Sequence, residues 1–142
     1  MLLHDSSYFN RNTSLPPPHE VRQRSVRIYG EDVDTFRPPP VRFEDLGLLV
    51  KYGSEITIAE AQCLWYFNRF MKDQVPTPEL FGWCVDDDQT FIYMQLVPGD
   101  TLEERWPSLN AGERTSICEQ LRECVEAWRG LRQETEPYIV SM

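Results

Sequence analysis

Histidine is almost missing from this sequence: His4 and His19 are the only two in 142 residues. Both precede every stretch with core-like patterning, so the side chain that most often serves acid–base and metal chemistry is out of reach of any folded site. Cysteine is also scarce. Cys63, Cys84, Cys118 and Cys124 form no C-x-x-C pair, which removes a zinc ribbon or a disulfide framework and reads as reduced thiols in a cytoplasmic protein. No apolar run is long enough to cross a bilayer. The opening "MLLHDSSYFNRN" lacks the basic start and apolar centre of a secretory signal. Positive charge is short as well: 14 Lys and Arg against 23 Asp and Glu leave a net charge of −9. A nucleic-acid surface needs a basic face, and so does adhesion to an anionic membrane, so neither is an expected partner. The seven glycines never form G-x-G-x-x-G, the pattern of a phosphate-cradling loop.

What is present is a moderate hydrophobic content, 41%, and 11 prolines, unevenly spread. Two proline triplets, Pro16–Pro18 and Pro38–Pro40, fall in the first 40 residues. Residues 1–40 are therefore expected to be largely disordered and extended, with one candidate strand at 24–30, where Val26 and Ile28 alternate with polar neighbours. The remaining chain is about the size at which a small domain folds.

From residue 41 the periodicities sharpen. "VRFEDLGLLVKYG" gives one or two strands. Leu48, Val50 and Tyr52 share one face, and Leu49 shares the other with Lys51. Residues 57 to about 71 read as a helix with the stripe Ile58, Ala61, Leu64/Trp65, and Thr57 with Glu60 has the spacing of a capping box. "LFGWCV" and "TFIYMQLV" flank "DDDQ" as a hairpin whose carboxylates face water. "PGDTLEERW" turns into a short helix. Asn110 with Glu113 opens a long one, striped by Ile117, Leu121, Cys124/Val125, Trp128 and Leu131. Strands gathered as antiparallel neighbours with helices inserted define an α+β class.

One lysine and one glutamate stand out on elements that otherwise read as core. Lys51 lies on a sheet face beside Leu49, and Glu60 shares a helical face with Leu64, Phe67 and Met71. Spacing alone leaves two readings. Glu60 serves its helix cap while Lys51 is an exposed strand end, or the two pair and hold an ammonium where phosphate oxygens could meet it.

"GLLVKYGSEITIAEAQCLW" and "VPTPELFGWCVDDDQTFIYMQLVPGDTLEERWPSL" together resemble the fungal branch of the aminoglycoside phosphotransferase family, within the protein-kinase-like fold. The resemblance runs over residues 41–136. It implies an N-terminal lobe at 41–98, hinge-following helices that begin a second lobe at 99–136, and a tail at 137–142. In the family that lobe is a five-stranded sheet with one helix, and ATP lies beneath it. By resemblance Lys51 contacts the nucleotide's α- and β-phosphates and Glu60 is its helix partner. Met94 resembles the residue at the back of the adenine pocket. Gln95 to Val97 resemble the hinge, with the Gln95 carbonyl and the Val97 N–H at the adenine edge.

The same family needs H-x-D-x-x-x-x-N and then a metal-binding aspartate. Neither occurs in these 142 residues; Asp5 and Asn10 share the spacing by chance. The expectation is a truncated kinase-like protein without phosphotransferase activity on its own, with weak ATP binding and no metal site. Two alternatives stand beside it: a fragment of a full ATP-dependent small-molecule kinase, and a non-catalytic interaction module. The helix at 110–132 would lack its cover in a truncated protein, so self-association or a protein partner is expected there.

Overall fold

The tightest local constraint is a two-residue turn. Asp87 and Asp88 both adopt positive φ, 50° and 57°, as a primed hairpin turn requires, and aspartate tolerates that region better than most residues. The turn closes the pair Asp86–Gln89 and so sets the register of β3 (Leu80–Asp86) against β4 (Gln89–Gln95). On its other side β4 pairs with β2 (Leu48–Gly53), which pairs with β1 (Val41–Phe43). All pairings are antiparallel, and the order is β1-β2-β4-β3.

The computed structural model describes residues 1–131. Among them the protein is a mixed α+β fold with this four-stranded sheet and four α-helices. Two compact units divide the chain: residues 1–70 with 77–97, and residues 71–76 with the chain from 98 onward. The tail at 137–142 lies outside the described residues.

In the first unit, strand alternation gives the sheet two apolar faces. Val41, Phe43, Leu48, Val50, Tyr52, Phe91 and Tyr93 line one. Ile92 and Leu80 lie on the other, where Ile56 and Ala61 close over them at the start of α2 (Ile58–Phe70).

The first face carries the main correction to the sequence reading. Residues 1–29 are not a disordered, extended leader, whereas residues 31–40 form no helix or strand, as expected. Ser7–Asn10 form a 3-10 turn and Pro18–Tyr29 form α1, so the candidate strand at 24–30 is helix. Pro18 occupies the first turn, where its missing N–H is no loss, and Gly30 ends the helix at φ 95°. Val21 and Ser25, one turn apart, are fully buried, and Tyr8 joins them in covering the sheet. The residues that suggested a strand, Val26 and Ile28, are exposed. The proline triplet also works differently than expected. Pro16 gives its carbonyl to the Tyr93 hydroxyl at 2.9 Å and so ties the segment to the middle of β4. At the sheet edge Leu3 N–H donates to the Phe81 carbonyl and Trp83 N–H to the Met1 carbonyl, both at 2.9 Å, adding a one-bridge extension beside β3.

The second unit is helical among its described residues. Thr101 and Glu104 cap α3 (Leu102–Arg105) reciprocally, and Asn110 and Glu113, whose spacing predicts it, do the same for α4 (Ala111–Arg129). Arg114 donates to the Trp106 carbonyl at 2.9 Å with its guanidinium over the indole, fixing the turn between the two helices. No helix among the described residues is long and apolar enough to cross a membrane.

Candidate functional site

Lys51 sits on β2 opposite Ile92 of β4, on the face that α2 covers. Glu60 lies in the first turn of α2. Its backbone N–H donates to the Thr57 carbonyl at 3.1 Å, while its carboxylate leaves the helix end and reaches the sheet. There Oε2 accepts a hydrogen bond from Lys51 Nζ. Of the two readings open from spacing, the pair is the one that forms. The side chains are 34% and 33% exposed, so the pair is bathed by solvent on one side and contributes at most about 1 kcal/mol to stability. Its consequence is positional: it leaves a partly exposed ammonium on an otherwise apolar face.

Met94 faces Leu49 across the β2–β4 pairing and packs beside Ile92 and Leu80. It shares the sheet face of Lys51 and lies about 7 Å further along β4 from Ile92. Gln95 belongs to the next step of the alternation. Its backbone N–H donates to the Glu79 carbonyl at 2.8 Å, and its side-chain oxygen accepts from Glu79 N–H at 3.2 Å. Leu96 N–H donates to the Gly47 carbonyl at 2.9 Å, and Val97, just past the strand, is 56% exposed. The five residues singled out from sequence therefore divide. Lys51 and Glu60 touch, Met94 shares their face, and Gln95 and Val97 mark the end of β4.

A sixth residue was not foreseen. Arg37 approaches the second oxygen of Glu60, with its guanidinium nitrogen 3.9 Å from Oε1. Nothing in "TFRPPP" signals this, because the proline triplet reads as a loop and the contact depends on how that loop folds back.

Elsewhere, the hairpin carboxylates of Asp86, Asp87 and Asp88 are exposed as expected, and Asp86 also pairs with Arg22 of α1 at 2.6 Å, which donates to Gln89 as well. On the first face, burial raises the Tyr93 hydroxyl well above its ordinary 10.0, with the neighbouring Cys84 adding to the shift. Burial likewise raises the Cys84 thiol above 9.0. A cysteine so placed is protonated and unreactive near neutrality. Among the described residues no three His, Cys, Asp or Glu side chains gather as a metal site.

Comparison with protein-family models, with curated proteins and with solved structures returned no match.

Proposed function

We propose that these residues form a kinase-like, nucleotide-facing lobe of the aminoglycoside phosphotransferase type, and that by themselves they hold nucleotide weakly and transfer no phosphoryl group. The observation that carries this reading is the Lys51–Glu60 pair. A strand lysine is held by a carboxylate from the following helix, on the sheet face that Met94 shares. A compact ammonium held in this way suits phosphate oxygens, and the end of β4 at Gln95–Val97 offers backbone groups to a base.

The 142 residues contain no H-x-D-x-x-x-x-N loop. Phosphoryl transfer depends on positioning and on metal-assisted charge stabilisation, so these residues alone lack the means for it. ATP titrated into the purified chain by calorimetry is expected to bind weakly, with no dependence on Mg2+, and more weakly still in Lys51→Ala. Incubation with Mg-ATP and a panel of aminoglycoside and amino-alcohol acceptors is expected to give no product. Tight, magnesium-dependent binding, or turnover lost in Lys51→Met, would overturn the non-catalytic part. Wild-type ATP affinity retained in Lys51→Ala would overturn the site.

A second reading, a non-catalytic interaction module, is favoured by one observation: Leu121, Trp128 and Leu131 stand exposed along and just past α4.

A further inference from the structure

We infer that Arg37 is the second cation of an anion site centred on Lys51, and that the site takes a polyphosphate tail. The inference rests on the proposed role of Lys51 as a phosphate contact and adds a residue outside the stretch that carries the family resemblance. Glu60 is shared: Lys51 Nζ holds Oε2, and Arg37 lies 3.9 Å from Oε1. Two positive charges thus face the one carboxylate of Glu60, in a chain with net charge −9. Both cations keep solvent access, 34% for Lys51 and 59% for Arg37. Either can turn to an anion without opening the core.

Arg37 owes its place to a strap. Asp34 Oδ1 accepts from Phe36 N–H at 2.9 Å and folds the segment back. The Phe36 carbonyl accepts from Glu55 N–H at 2.9 Å, and the Thr35 carbonyl accepts from Gln89 Nε2 at 3.0 Å and from Ser54 N–H at 3.4 Å. Gly53, at the end of the Lys51 strand with φ 145°, lets the strap approach; a Cβ there would drive into the Phe36 carbonyl and stand 3.0 Å from Pro38 Cδ. The strap thus passes against the end of the Lys51 strand at Gly53, two residues after the lysine.

The chemistry favours a chain of phosphates. A lone carboxylate would have to compete with Glu60 for both cations. A polyphosphate carries oxygens along its length and can engage both while Glu60 stays between them. Arginine matches phosphate with two parallel donors, and lysine adds a point charge. The sequence has no G-x-G-x-x-G loop, and Arg37 is placed to give a second phosphate contact from a side chain.

The test is calorimetry on the full chain at low salt, with inorganic tripolyphosphate, ATP and adenosine as separate probes. Tripolyphosphate and ATP are expected to bind, adenosine more weakly, and added salt to suppress the first two. Arg37→Gln and Lys51→Gln should each weaken tripolyphosphate roughly tenfold, the size of one lost charged hydrogen bond. Gly53→Ala should match Arg37→Gln, because it displaces the strap. Arg37→Gln should leave the melting temperature unchanged, so its effect is not one of folding. ATP tighter than tripolyphosphate would identify the tail as a nucleotide's; equal affinity would identify free polyphosphate as sufficient. Unchanged tripolyphosphate affinity in Arg37→Gln, with a loss in Lys51→Gln, overturns the role of Arg37 and leaves the Lys51 reading standing. ATP and adenosine binding alike while tripolyphosphate does not bind overturns the polyphosphate site. No binding of any probe overturns both readings.

Discussion

At Tyr93 one side chain reports on the whole first face of the sheet. Its ring is buried, its hydroxyl donates to Pro16, and burial holds its proton far past the ordinary value of 10.0. The folded state therefore keeps a proton that the unfolded chain gives up. The stability this contributes is complete below about pH 10 and drains as pH rises toward the folded value. Cys84, raised from 9.0 mainly by burial, begins the same loss nearer pH 9. Melting followed by circular dichroism should show a falling midpoint from about pH 9 upward, with a shallower fall in Tyr93→Phe. A flat profile to pH 11 would contradict the burial of both groups. Legibility at this scale depends on whether neighbours are local. The Lys51–Glu60 pair could be read because nine residues and one strand-to-helix turn separate its members. Arg37 could not, because its position follows from hydrogen bonds at Thr35 and Phe36 that no spacing encodes.

The elements show the same division. The β3–β4 hairpin was legible because alternation, a two-residue turn and turn-tolerant aspartates agree over a short span. The Asn110–Glu113 capping box was legible for the same reason, whereas at Thr57 and Glu60 the same spacing misled, because the Glu60 carboxylate goes to Lys51. Helix α1 was not. It buries a narrow stripe whose second member is Ser25, so the core side of the helix looks polar while Val26 and Ile28 decorate the solvent side. A direct measurement separates a docked helix from a loose leader. Val21→Ala should cost about 2 kcal/mol in urea unfolding, the usual penalty for emptying part of a packed site. Val26→Ala, on the exposed side, should stay within about 0.5 kcal/mol. Equal, negligible effects would mean that α1 does not cover the sheet.

For the molecule as a whole, the distribution of exposed apolar surface matters more than any single pair. Leu121, Trp128 and Leu131 are 50%, 44% and 42% exposed. Large apolar side chains exposed along one helix are a common feature of contacts with another protein or with another copy. Sedimentation velocity over a range of concentrations is expected to show self-association, reduced in Leu121→Glu with the helix content unchanged. A monomer at all concentrations, with no binding of a dye that reports apolar surface, would remove this expectation together with the interaction-module reading.

The N-terminal contacts also set an order of events during folding. Met1 and Trp83 are 82 positions apart and Pro16 and Tyr93 are 77 apart, yet each pair is joined by a hydrogen bond. On a ribosome the first twenty-five residues emerge long before the hairpin that receives them. Until β4 is made, Tyr8, Val21 and Leu15 have only the β1–β2 part of that face, Val41, Phe43, Leu48, Val50 and Tyr52, to cover. Such late, distant closures slow folding and lengthen the time an apolar segment spends uncovered. Removing the first twenty-five residues would therefore leave one face of the sheet bare rather than merely trim a tail.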